Sequence, residues 1–108
     1  MRSTLFGLIA AVALLASPAD AQRKTSVDLE LSFVVDASGS IDQEEMRLQR
    51  QGYASALVNP DVLKAINSGF LRSIAVSYIE FAADGCIWQW LKWVKISDRA
   101  AAAAAGAQ

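Results

Sequence analysis

The sequence predicts a small α/β domain of three strands and one or two helices, preceded by a signal peptide. Three observations predict this class. Residues 27–36 start with alternating apolar and polar side chains and end in an apolar run before Asp36, as in a strand that becomes covered on both faces. An amphipathic stretch follows this segment. Two segments rich in Ile, Val and aromatic residues then flank an Asp-Gly turn signal.

Residues 1–21 are predicted to be a signal peptide. Arg2 gives a cationic start, residues 5–15 are apolar, and Ala19-Asp20-Ala21 has the small-x-small pattern of a cleavage site. The apolar run is well short of the roughly 20 residues that span a bilayer, so no stable membrane anchor is expected. The mature chain would begin at residue 22, and the protein would be exported to the periplasm or secreted.

The composition of the 108-residue chain narrows the possible functions. A net charge of −1 gives no basis for nucleic-acid binding. The chain has no histidine, which excludes Ser-His and Cys-His catalysis and removes the commonest ligand of zinc and copper. Cys86 is the only cysteine and is expected to be a small buried residue, with intermolecular pairing or a reactive thiol as alternatives.

The first strand is followed by a helix predicted from residue 41 or 42 to about residue 58. Its start has two possible capping boxes, Ser40 with Gln43 and Asp42 with Glu45. Acidic residues in this first turn would stabilise the helix and would also favour a nearby cation.

Three further elements and a tail complete the prediction. Asn59-Pro60 predicts a short helix over residues 60–66. Residues 72–81 and 86–96 are predicted strands that pair antiparallel through a short turn, whereas the first two strands should be parallel across the helical crossover. Residues 99–108 form an alanine-rich tail with high helix propensity but no large side chain for docking, so we expect an incomplete or frayed helix.

The third strand carries Trp88, Trp90 and Trp93. Alternation places Trp88 and Trp90 on one face, and we expect these rings to pack beneath helices. The alternative is an exposed binding patch on which sugars or bases could stack.

Asp36, Ser38 and Ser40 are the candidate metal ligands. They follow a buried strand, and ligands bind at the carboxyl ends of strands in α/β sheets. One carboxylate and two hydroxyls, spaced two residues apart around Gly39, offer only oxygen atoms. Such ligands suit Mg²⁺, or alternatively Mn²⁺ or Ca²⁺, with water or another group completing the shell.

The stretch VVDASGSID resembles the von Willebrand factor A domain, whose metal-ion-dependent adhesion site begins with Asp-x-Ser-x-Ser after the first central strand. The segments VDLELSFVVDASGSIDQEEMRLQRQGYASAL, IAVSYIEFA and WQWLKWVKI are similar to a bacterial family of exported A-domain proteins of unknown function. The resemblance covers about residues 27–98. It implies that residues 22–98 are the N-terminal half of such a domain, with a partial doubly wound, Rossmann-like sheet.

The resemblance also implies a function. Asp36, Ser38 and Ser40 would hold the cation, which would bridge to an acidic side chain of an unknown partner protein, and the module would not be an enzyme. The family completes its site with a threonine and an aspartate from later loops, but no threonine follows Thr25, so the site would be partial. Without further strands, residues 29–35 would form an unpaired apolar edge, and the piece would be marginally folded.

Two alternatives remain open. In the first, the chain is a truncated α/β fragment without metal binding or independent function; Ser40 caps the helix, and Asp36 and Ser38 bond to the turn backbone. In the second, Asp36 is the nucleophile of a hydrolase. The second is disfavoured because phosphatases of that type carry another acid two residues later, where this chain has Ser38.

Overall fold

The computed structural model describes residues 24–108, so the predicted signal peptide at residues 1–21 lies outside the described residues. The elements are β1 (Leu29–Asp36), α1 (Gln43–Leu57), α2 (Pro60–Asn67), β2 (Ile74–Phe81), β3 (Ile87–Ile96) and α3 (Arg99–Gly106). This order confirms the α/β class, and α3 adds a helix to it. Within the described range, no helix combines the length and apolar character needed to cross a membrane.

Side-chain caps fix the starts of α1 and α2. Asp42 is the N-cap of α1: its Oδ1 accepts a hydrogen bond from the Glu45 backbone N–H at 2.9 Å, and Glu45 Oε2 accepts from the Asp42 N–H at 3.0 Å. The Asp42–Glu45 capping box is therefore confirmed, whereas the prediction that Ser40 caps this helix is wrong. Asn59 caps α2 by accepting from the N–H of Asp61 at 2.8 Å.

The three strands form one sheet in the order β1-β2-β3. β1 and β2 are parallel, with Phe33 beside Tyr78 and Val35 beside Glu80, and β2 and β3 are antiparallel. Both orientations confirm the prediction. Within residues 24–108, β1 pairs along one edge only, so its other edge is open to solvent.

The helices cover one face of this sheet. The Tyr53 ring of α1 lies 4.7 Å from the Phe33 ring and 5.4 Å from the Tyr78 ring, measured between centroids. The buried core comprises Val35, Leu57, Ile66, Val76, Tyr78, Leu91, Ile96, Ala102 and Ala105. On the other face, Val34 is 62% exposed and Ile87 is 69% exposed. The prediction that the end of β1 is covered on both faces is therefore wrong for the described residues.

A bulge in β3 changes the orientation of Trp90. Tyr78 lies opposite Leu91, and Ile79 lies opposite Gln89, so Trp90 is the extra residue of β3 between these pairs. A bulge re-aims a side chain. Leu91 can therefore enter the core while the indole of the adjacent Trp90 also reaches a β2 side chain on the helix face, Glu80.

The prediction that the three tryptophans pack beneath helices is wrong. Trp88, Trp90 and Trp93 are 44%, 46% and 53% exposed. They lie on an edge strand of a sheet that is covered on one face only, so the described helices do not enclose them.

Cys86 is exposed, which corrects the expectation of a buried residue. It lies in the turn that joins β2 and β3, where Asp84 Oδ1 accepts from its backbone N–H at 3.0 Å. Gly85 adopts φ 85°, a left-handed conformation that favours glycine in a tight turn, and residues 83–86 of this turn are all exposed. The hydrogen bond and negative charge of Asp84 raise the pKa of Cys86.

The alanine-rich tail is docked, contrary to the expectation of a frayed end. Asp98 caps α3 by accepting from the Ala101 N–H at 2.8 Å. Ala102 and Ala105 are buried where α3 contacts α1 and β3. Docking needs no large side chain because the helices approach closely: a Cβ added at Gly106 would lie 3.0 Å from the Ala54 Cβ.

Candidate functional site

The Asp36–Ser40 segment lies at the carboxyl ends of the two parallel strands. Asp36 ends β1 beside Phe81, which ends β2. The Ala37 N–H donates to the Phe81 carbonyl at 2.7 Å, and the Ile41 N–H donates to the Ser38 carbonyl at 2.9 Å. These bonds hold the segment at the edge of the sheet where α/β domains bind ligands.

Asp36 and Ser38 are brought into direct contact. Asp36 Oδ1 accepts from the Ser38 backbone N–H at 2.8 Å and also from the Ser38 hydroxyl. The hydroxyl bond, followed by the backbone bond, lowers the pKa of Asp36 below its ordinary value. The carboxylate is therefore ionised at neutral pH. Among the described residues, nothing donates to its second oxygen, Oδ2.

Ser40 is exposed, and its hydroxyl makes no hydrogen bond with any residue from 24 to 108. Asp42 serves as the N-cap of α1, so the helix does not use the Ser40 hydroxyl. The structure thus joins Asp36 to Ser38 and leaves Ser40 nearby in the chain without a bond to either.

The acidic first turn of α1 is engaged in the helix itself. Asp42 and Glu45 form the capping box, and Glu44 accepts from Arg47 at 2.6 Å, one turn further along. The Arg47 bond lowers the pKa of Glu44. These carboxylates therefore have helix-stabilising roles that account for their positions without a metal.

The oxygen atoms of this segment are of the type that a hard cation prefers, but they are too few to fill its coordination shell. Asp36 Oδ2 and the hydroxyl oxygens of Ser38 and Ser40 are the oxygen ligands that Mg²⁺ and Ca²⁺ take, but these ions use six to eight ligands. Over residues 24–108, no three His, Cys, Asp or Glu side chains are grouped to hold a metal. A cation here would need water or a further molecule for most of its shell.

The structure also contains a buried charged cluster that the sequence did not predict. The Glu80 carboxylate is 2% exposed and accepts from Arg50 Nε and Nη2, both at 2.6 Å. The Trp90 indole N–H donates to it at 2.7 Å and the Tyr78 hydroxyl at 3.2 Å. The Arg50 bonds lower the pKa of Glu80 despite burial, and burial together with Glu80 raises the pKa of Tyr78 to about 12.

One sequence signal could have indicated this cluster. Glu80 is the single charged residue of IAVSYIEF, the central strand, and a buried charge requires a partner. The identity of that partner is not readable from spacing, because Arg50 is 30 residues away and α1 also contains Arg47.

Comparison with known proteins identifies the family of this chain. No curated protein and no solved structure matches this chain significantly. A family model does match, over residues 26–108, and therefore covers β1 through α3. Because that match spans most of the sequence, the chain belongs to the family described as protein of unknown function (DUF1194).

Proposed function

We propose that this chain is an exported, non-enzymatic protein-binding module of the von Willebrand factor A type. Its Asp36–Ser40 segment would form part of a metal-ion-dependent adhesion site. The observation that carries the proposal is the ionised Asp36 carboxylate at the carboxyl end of β1, bonded to Ser38 through Oδ1 and open at Oδ2. The resemblance of VVDASGSID to the adhesion-site motif supports it.

Asp36, Ser38 and Ser40 would hold the cation, with Mg²⁺ as the first candidate and Mn²⁺ or Ca²⁺ as alternatives. When bound, the cation would supply positive charge and an exchangeable coordination position for a carboxylate of the partner protein. The role of the chain is to fix the ligands. The Ser38 N–H orients Asp36, and the turn closed by the Ile41 N–H holds Ser38 at the strand end.

A binding role is favoured over hydrolysis by the surroundings of Asp36. The chain has no histidine to act as a base. Lys92 and Lys95 lie on β3, and β2 separates that strand from β1. The alternative without a metal, in which Asp36 only closes a turn, is supported by the same Ser38 N–H bond.

A cation titration with a matched control separates these possibilities. Asp84 is the control because it too is exposed and accepts from the backbone N–H two residues later, but lacks the serines. If the dissociation constant is about 1 mM, as for weak extracellular sites, about 10 mM Mg²⁺ stabilises the folded chain by about 1.4 kcal/mol. That corresponds to a rise in Tm of roughly 6–11 °C for a domain of this size.

We expect this rise in the full chain and in Asp84→Ala, and we expect Asp36→Ala to abolish it. Water-proton relaxation with Mn²⁺ gives an independent measure of binding in the same three proteins. Equal responses from all three would refute the site and favour a turn without a metal. Hydrolysis of a phosphate or ester substrate that disappears in Asp36→Ala would instead favour the hydrolase.

A further inference from the structure

Arg50 and Trp90 form a fixed pair on the helix face. Arg50 binds the buried Glu80 carboxylate through two nitrogens, and its Cζ lies 4.2 Å from the centroid of the Trp90 ring. The Trp90 N–H is fixed on the same carboxylate. Two large side chains are thus held in one arrangement, yet the Arg50 side chain remains 42% exposed and Trp90 46% exposed.

Stability does not account for this arrangement. Replacing a buried ion pair by apolar residues of similar volume is often neutral or stabilising, because desolvating the charges offsets their attraction. Glu80 brings a charge into a core that is otherwise apolar apart from two serines. What the pair does provide is a preorganised arginine and tryptophan, the residue types that dominate binding hot spots.

These two residues border a cavity. Its volume is about 150 Å³, it opens to solvent, and it lies between α1, α3 and β3. Most of its remaining lining is apolar or aromatic (Ala54, Leu57, Tyr78, Leu91, Ala105), together with Gly106 and the polar Gln108. An apolar cavity of about 150 Å³ is large enough to bind benzene. The cavity therefore has space for one six-membered ring.

Arg50, which lines this cavity, also has an unused donor group. Its Nε and Nη2 bind Glu80, whereas Nη1 makes no hydrogen bond to any of the described residues. Planar guanidinium donors favour carbonyl and carboxylate oxygens. Because Glu80 already offsets the charge of Arg50, a neutral carbonyl and a carboxylate are both suitable acceptors.

We propose that this cavity is a binding site for a small aromatic compound that carries a carbonyl or carboxylate oxygen. The ring occupies the apolar cavity between α1, α3 and β3, and the oxygen accepts from Arg50 Nη1. The site is distinct from Asp36–Ser40, and its existence does not depend on metal binding there.

The test measures binding of benzoate, benzamide and benzene to the full chain by chemical-shift changes, including those of the Trp90 indole N–H. Ala105→Met fills the cavity from α3. Ala104→Met is the matched control, because Ala104 is exposed on the same helix. We expect benzoate and benzamide to bind the unaltered chain and Ala104→Met equally. Ala105→Met should weaken both at least tenfold.

A second variant tests the polar contact without filling the cavity. Arg50→Lys keeps a cation opposite Glu80 but removes the planar Nη1 donors. We expect it to reduce the preference for benzoate and benzamide over benzene at least threefold. The proposal is overturned if none of the three compounds shifts the Trp90 signal, or if benzene binds the unaltered chain as tightly as the other two. It is also overturned if Ala105→Met, still folded, binds benzoate unchanged.

Discussion

Removing the guanidinium of Arg50 should destabilise the fold far more than removing that of Arg47. Both arginines lie on α1, and both bind a carboxylate through two nitrogens. Glu80 is 2% exposed, whereas the side chain of Glu44, the partner of Arg47, is 63% exposed. Arg50→Leu leaves a charge unpaired in the core, while Arg47→Leu only removes a solvated pair.

The burial of Glu80 sets the size of the effect. Breaking a buried ion pair costs about 3–5 kcal/mol, and the partial exposure of Arg50 puts the expected loss near the lower end. A loss of about 3 kcal/mol lowers Tm by roughly 12–24 °C in a domain of this size. Arg47→Leu should change the free energy of unfolding by less than about 1 kcal/mol. Arg50→Leu combined with Glu80→Met should recover part of the loss, because no charge then remains buried while the Tyr78 hydroxyl and the Trp90 N–H lose their acceptor.

The pH dependence of the free energy of unfolding gives a second test of the Arg50–Glu80 ion pair. Arg50 lowers the pKa of Glu80, so the pair stabilises the fold at neutral pH and loses that contribution as pH falls below about 4.3, the ordinary glutamate value. In Arg50→Leu, burial remains without the compensating cation and raises the pKa of Glu80. The stability difference between the two proteins should therefore shrink on acidification from pH 7 to about pH 4. Circular dichroism during urea unfolding measures it. A deficit that is independent of pH, or no larger than that of Arg47→Leu, would refute the reasoning.

Three further predictions concern a tight contact, the open strand and a buried phenol. Gly69→Ala should lower the free energy of unfolding by about 1–3 kcal/mol, because the added Cβ would clash with the Asp28 carboxylate. Gly52→Ala, in a helix with free space around it, should instead raise that free energy by up to about 1 kcal/mol. Equal effects of the two variants in urea unfolding would contradict this. Val34→Lys should reduce aggregation in light-scattering assays by placing a charge on the exposed edge strand, and unchanged aggregation would show that β1 is not the associating surface. Tyr78→Phe should leave unaltered the rise in phenolate absorbance between about pH 9 and about pH 11, because the pKa of Tyr78 is about 12. A smaller rise in the variant would contradict the buried position of Tyr78.

Local sequence signals predicted most of the fold. Alternation and an apolar run predicted the first strand, and segments rich in Ile, Val and aromatic residues predicted the other two. The Asn59-Pro60 and Asp42–Glu45 patterns predicted the helix starts, and the short Asp-Gly connection predicted the antiparallel hairpin. Each of these signals acts within a few residues, where backbone sterics and capping bonds decide the conformation. The predicted bounds consequently differ from the observed ones by a few residues at most.

Features that depend on distant contacts were not predictable in this way. The orientation of Trp90 depends on a bulge that breaks the alternation of β3, and neither flanking residue marks the bulge. The exposure of Cys86 and Val34 depends on which faces and turns the helices cover. The candidate site was predictable in part, because Asp36 and Ser38 are close in the chain, whereas the Glu80 cluster joins residues from three elements.

The docking of α3 gives meaning to an alanine run that looks uniform in the sequence. Ala102 and Ala105 face the interior, whereas Ala103 and Ala104 face solvent, so identical residues occupy opposite environments. Tolerance to substitution should therefore follow a helical period along the run. Charged side chains would be accepted at the two solvent positions and rejected at the two inner ones. A low-complexity tract of this kind carries positional information that only a mutational scan, and not its composition, would reveal.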